Sequence, residues 1–190
     1  MYSDDIDLSY MVLQKGKNNY YFHETTVIHY KGESTVKDGT YIKRFQEAME
    51  FFYKKHFKVS LLFSVFMKIG IVSFSLIKRF QGRAKAKSIP QNYLLATASE
   101  TLLKIITSHV QKKVDFLDWK EEKAVNLLSN SIRNGLQIIL DNKSVSFKEC
   151  IEIHERYKNK GVVFRIIPKG TNFSIGSDSP NERGEIEKVK

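Results

Sequence analysis

From Ser88 onward the chain switches repeatedly between short apolar runs and longer stretches with apolar residues at helical spacing. Tyr93-Leu94-Leu95-Ala96 predicts a strand, after which Leu102, Leu103, Ile105, Ile106 and Val110 fall on one face of a helix. Between them, Thr97-Ala98-Ser99-Glu100 carries the hydroxyl-x-x-acid pattern of a capping box. Val114 to Leu117 predicts a second strand, and Asp118-Trp119-Lys120-Glu121 a second cap with an acid three residues on. Gln137 to Asp141 gives a third strand, Ser146-Phe147-Lys148-Glu149 another capping box before a helix, and Val162 to Ile167 a fourth strand. Parallel neighbours need crossover connections, and a helix between successive strands supplies one. The expected fold class is therefore α/β.

Residues 88–190 are expected to form a small Rossmann-like parallel-sheet domain. Gly170 to Ser177 predicts a loop with a short edge strand, and the stretch from Ser177 to Lys190 a polar tail. The first strand-to-helix turn, Ala96-Thr97-Ala98-Ser99, contains no glycine, and no G-x-G-x-x-G occurs. A structural, regulatory or degenerate domain is expected there rather than a dinucleotide site.

Val59 to Ile77 is nearly continuous apolar sequence, interrupted by Lys68, Gly70 and serines. About 20 such residues are needed to span a bilayer, so the length barely suffices. Lys54, Lys55 and Lys58 precede the run, and Lys78, Arg79, Arg83, Lys85 and Lys87 follow it. Basic flanks on both sides oppose a single crossing, because positive residues stay on the cytoplasmic face. Residues 59–87 are expected to associate with the membrane as an interfacial helix or as a shallow hairpin bent at Gly70. That places the protein peripherally or monotopically on the cytoplasmic face of the inner membrane. The competing expectation is a core helix buried between two domains.

Charge adds to this picture. Lys and Arg total 31 against 21 acidic residues, for a net +10, which favours anionic partners. No helix-turn-helix, zinc-ligand spacing or RNP-like aromatic motif accompanies the basic cluster, so an anionic membrane surface, not nucleic acid, is the expected partner. The lone Cys150 excludes an internal disulfide and is expected to be a buried, inert thiol. The acidic start lacks the basic n-region of a secretory signal.

Residues 1–58 differ again. Asp4-Asp5-Ile6-Asp7-Leu8 opens a helical pattern at once, with no strand before it. His29-Tyr30-Lys31-Gly32-Glu33-Ser34-Thr35 follows, and Tyr41, Phe45, Met49, Phe52 and His56 then share one helix face. Taken alone, the three acids are helix N-terminal charges favoured by the macrodipole, and His29 is a structural histidine. Taken together, these segments resemble the closing part of the catalytic domain in family 2 glycosyltransferases with the GT-A fold. The resemblance implies that residues 1–58 are the C-terminal portion of such a domain. It makes Asp5, with Asp4 beside it, the catalytic base that takes the acceptor hydroxyl's proton. It also makes His29 a ligand for Mg²⁺ or Mn²⁺, and Lys31, Gly32 and Ser34 contacts for the donor diphosphate. A strand pair is expected around His29.

One bacterial subset of the family continues with hydrophobic helices and a Rossmann-like domain ending in Ile-Gly-Ser-x-Ser, matched here by Ile175-Gly176-Ser177-Asp178-Ser179. The pattern departs from the family at Asp4, where glutamate is usual, at Ser3 for glycine and at Met11 for arginine. No nucleotide-binding βαβ units and no Asp-x-Asp precede the acidic pair. The resemblance thus implies the distal part of a nucleotide-sugar-dependent enzyme for cell-surface polysaccharide or glycan synthesis, inactive alone. A nucleotide-sugar donor and a glycan or lipid-linked acceptor would be its substrates. The alternative is a non-catalytic, membrane-anchored Rossmann-like scaffold or regulatory module.

Overall fold

A computed structural model describes residues 3–30, 39–57, 61–80, 90–178 and 184–189. The chain forms two compact units, one from Met1–Thr25 with Glu33–Lys85 and the other from Thr26–Gly32 with Ala86–Lys190.

The first unit contains three helices: α1 (Asp4–Gln14), α2 (Gly39–His56) and α3 (Leu61–Phe80). Asp4, Asp5 and Asp7 occupy the first turn of α1, where unpaired backbone N–H groups favour negative charge. Tyr10 docks α1 on α2, its ring 5.7 Å from Phe52, 4.7 Å from His56 and 5.2 Å from Phe57. The predicted apolar face of α2 is used as expected at Met49 and Phe52, both buried. Tyr53 meets Phe63 of α3 with ring centroids 4.7 Å apart. α3 runs unbroken through Gly70, so the shallow hairpin does not form. A single glycine costs a helix only about 1 kcal/mol, which the flanking helix-forming residues absorb. Among the described residues, none between α1 and α2 forms a strand, in contrast to the expected strand pair around His29.

The second unit is a six-stranded sheet, β1 (Asn92–Thr97), β2 (Val114–Asp118), β3 (Leu136–Asp141), β4 (Val163–Ile167), β5 (Phe173–Ser177) and β6 (Glu185–Lys188), in the order β2-β1-β3-β4-β5-β6. The first four strands are parallel, with Leu95 opposite both Phe116 and Ile139, and Ile139 opposite Arg165. Helices α4 (Glu100–Val110), α5 (Ala124–Ser131) and α6 (Phe147–Tyr157) make the crossovers. β1 and β3 are covered on both faces, which explains the apolar runs at residues 94–96 and 138–140. One face packs Ile138, Leu140 and Ile166 under α5 and α6, with Leu128, Cys150 and Ile153. On the other, Leu95, Ile139 and Ile167 meet Ile106 of α4 and Val189.

The sheet is mixed rather than wholly parallel. β5 and β6 add antiparallel to β4, and the expected polar tail supplies β6. All four residues of β6 are exposed, so no apolar alternation marked it. The caps are corrected in two of three places. Ser99, not Thr97, caps α4 by accepting from the Leu102 N–H at 3.3 Å. Asp118 ends β2 and accepts from Lys120 N–H in a local turn, and α5 begins only at Ala124. Ser146 and Glu149 form both halves of the expected capping box on α6. Cys150 is buried, and burial pushes its thiol up to about 12, leaving it protonated and inert.

Candidate functional site

The acids of α1 divide by direction. Asp4 and Asp5 are exposed on the first turn. Asp7 turns to α2, accepting from Lys55 Nζ at 2.7 Å and pairing with His56 Nε2. The His56 ring is almost fully buried between Tyr10 and Phe52. Hydrogen bonds from Lys55 and then His56 hold the Asp7 carboxyl below its ordinary 3.8. The folded form therefore gains from this cluster above the ordinary carboxylate range and loses the gain as pH falls through the lowered value. We expect amide hydrogen exchange in α1 to accelerate on acidification through that window. Asp7→Asn should already show the faster exchange at neutral pH and respond less to acid. Identical α1 exchange in wild type and Asp7→Asn would contradict the clamp.

His29 belongs to the other unit. Thr26 to Tyr30 belongs to the unit of the sheet, with Ile28 packed on its core and His29 exposed. Gly184 makes room for Tyr30, since a Cβ there would come within 2.6 Å of the Tyr30 Cβ. His29 lines a pocket of about 410 Å³ that also includes Tyr30, His154, Lys158 and Asp178. His154 donates Nδ1–H to the Cys150 carbonyl at 2.7 Å and stacks on Phe164 at 4.1 Å. Burial lowers its pKa, so at neutral pH the ring is uncharged and Nε2 keeps its lone pair. The Tyr30 hydroxyl is buried without a partner among the described residues, and burial raises its pKa.

The structure places Asp5 and His29 in different units. Lys31, Gly32 and Ser34 lie outside the described residues. Among the described residues, no three His, Cys, Asp or Glu side chains converge to hold a metal. His29 offers one nitrogen, and a divalent ion needs more ligands than that. Sequence reasoning overlooked His154, whose only local signal is its place on the same α6 face as Cys150.

Doubly wound sheets commonly take ligands at the carboxyl ends of strands where the winding reverses, which here lies between β1 and β3. That position is filled by the chain's own groups. Thr97 Oγ1 donates to Asp141 Oδ2 at 2.6 Å and Ser144 Oγ to the same oxygen at 3.0 Å. Lys143 N–H donates to Asp141 Oδ1, and Ala98 N–H to Ser144 Oγ. The carboxylate is buried yet fully engaged, as a structural knot requires.

No family model matches this chain, and no curated protein or solved structure is significantly similar to it. The fold defines the second unit as an α/β domain with a mostly parallel, mixed six-stranded sheet.

Proposed function

We propose that the chain is the distal part of a nucleotide-sugar-dependent glycosyltransferase of family 2 type, acting in polysaccharide or glycan synthesis. The observation that carries this reading is the division of labour within the acidic motif. Asp7 is spent on holding α1 against α2, while Asp5, two residues earlier and so on the far side of the helix, stays exposed. An exposed carboxylate on an anchored helix is what a general base needs to reach an acceptor hydroxyl. In this reading residues 1–58 are the end of a GT-A domain, Asp5 is the base and Asp4 assists it. Lys31, Gly32 and Ser34 meet the donor diphosphate. No donor set among the described residues makes a metal site, so a divalent ion at His29 would need further ligands. The DNA immediately upstream of the Met1 codon tests the reading. An open frame with apolar strands and an Asp-x-Asp supports it, whereas stop codons or an unrelated gene would count against it.

Attachment to the cytoplasmic membrane surface is part of the proposal. No helix among the described residues is long and apolar enough to cross a membrane. Leu62, Val65, Phe66, Ile69 and Val72 nevertheless lie exposed at helical spacing on α3. Such a stripe with lysines nearby suits an anionic interface. Phe66→Asp combined with Ile69→Asp should weaken co-sedimentation with phosphatidylglycerol vesicles about tenfold. Equal sedimentation of both proteins would refute attachment through α3.

A second reading, a membrane-anchored scaffold or regulatory module without catalysis, is favoured by the closed knot of Thr97, Asp141 and Ser144 where a nucleotide would otherwise bind.

A further inference from the structure

Thr26-Val27-Ile28-His29-Tyr30 has the composition of a strand, with three β-branched residues and an aromatic in five positions. Helix α1 before it and α2 after it belong to the first unit, whereas the segment itself belongs to the second. Apolar packing holds it there. Ile28 lies against the core, and Tyr30 rests on Gly184, where a Cβ would come within 2.6 Å of the Tyr30 Cβ. Among the described residues, no hydrogen bond joins the segment to the sheet unit, through backbone or side chain. A paired strand would satisfy these N–H and C=O groups in a ladder. With Thr26, Val27 and His29 exposed, that duty falls to water.

Two further features work against the docked form. The Tyr30 hydroxyl is buried with no partner among the described residues, and water would satisfy it once the segment lifted away. The segment also borders two hollows, of about 410 Å³ and about 290 Å³, so its fit in the groove is loose. The smaller hollow is apolar, lined from the sheet unit by Phe147, Ile151, Ile166, Pro168 and Ile175. β5 makes the contrast within the same unit. It has the same length, pairs with β4 on one side and β6 on the other, and buries Ser174 and Gly176.

The free energy of local opening follows the apolar contacts and hydrogen bonds that opening breaks. For this segment it breaks a few apolar contacts and no hydrogen bond. We infer that residues 26–30 form a detachable strap, which lifts from the sheet unit while the sheet stays folded. Lifting uncovers the apolar groove between α6 and the β4–β5 pair, and it frees the connection from α1 to α2 from its hold on the sheet. His29 leaves with the strap, so the pocket it shares with His154 belongs to the docked form alone. This inference stands on packing within the second unit and does not depend on glycosyl transfer.

The test introduces a thiol into the full chain by Ile28→Cys and follows its alkylation by iodoacetamide, resolved by peptide mass spectrometry. Cys150 is the internal standard, because it sits in the core on α6 and becomes reactive when the sheet unit itself opens. A free peptide of residues 24–32 with the same substitution sets the fully open rate. The introduced thiol is expected to react at least about tenfold more slowly than the peptide and at least about tenfold faster than Cys150. Adding Tyr30→Phe should slow it about fivefold, since the hydroxyl that opposes docking is gone. Adding Gly184→Ala should speed it toward the peptide rate with Cys150 unchanged, because the new Cβ displaces Tyr30. A rate equal to the peptide's would show that the segment does not dock, and a rate equal to that of Cys150 that it leaves only on unfolding. Either result overturns the inference, as does a Tyr30→Phe variant that reacts no more slowly.

Discussion

Replacing Gly176 by alanine is expected to unfold most of the second unit's edge. A Cβ at this position would lie 2.2 Å from the Phe164 carbonyl oxygen, 2.6 Å from Arg165 Cδ and 2.9 Å from Arg165 Nη1. The side chain of Arg165 crosses β5 through the space that the missing Cβ leaves. A flexible tip could move aside, but the carbonyl belongs to β4 and is fixed by the sheet. The strands must therefore separate, and overpacking of this kind costs about 3 kcal/mol, the upper end of its usual range. Urea denaturation followed by the Trp119 fluorescence reads the loss directly. An alanine variant with wild-type stability would show that β5 does not pair with β4 in the register Arg165–Gly176.

Arg165→Leu is expected to be about as damaging for a different reason. Asp178 is 4% exposed and is held by Arg165. Removing the guanidinium takes a charged hydrogen-bond partner from a buried carboxylate, a change of the kind that costs up to about 3–5 kcal/mol. Glu185, half exposed, can turn to water and adds little. The double variant Arg165→Leu with Asp178→Leu should recover much of the loss, because an apolar pair is often no less stable than a buried ion pair. If the single variant lost no stability, or the double variant recovered none, the pair would not be the source of the effect. These two expectations give Ile175-Gly176-Ser177-Asp178 a physical role: the glycine admits the arginine, and the aspartate neutralises it.

The readable parts of the sequence were those whose signal is local. β1, β3 and β4 announce themselves because central strands are covered on both faces and carry short, mostly apolar runs, even though Gln137 and Arg165 lie within them. The capping box at Ser146 and Glu149 was legible since both partners lie within one turn. Thr97 and Ser99 were not separable by pattern, as either hydroxyl could cap α4. Only the pairing of Thr97 with Asp141, 44 residues away, assigns it to the strand end. β6 was illegible because an exposed antiparallel edge needs no apolar residues. Gly176 could be recognised as part of a motif, yet its reason lies in the side chain of a neighbouring strand.

The candidate site shows the same limit. The acidic cluster was visible as a cluster, but nothing local says that Asp7 turns to Lys55 and His56, 48 and 49 residues on. Nor could the sequence show that residues 26–30 belong to the unit of the sheet while the acids stay with the first unit. Ile28 packs on the sheet core and His29 is exposed, an alternation that an unpaired segment shares with a paired strand, so the pattern alone could not separate the two.

The most direct measurement is nucleotide-sugar turnover by the chain, alone and combined with the product of any open frame found upstream, comparing Asp5→Asn with Asp7→Asn. The account predicts that Asp5→Asn lowers turnover by about a hundredfold or more at unchanged stability, the usual worth of a general base. Asp7→Asn should instead loosen α1 and reduce activity only as far as α1 is loosened. Full turnover with Asp5→Asn, or no wild-type turnover with any donor, would contradict the assignment of this chain to glycosyl transfer.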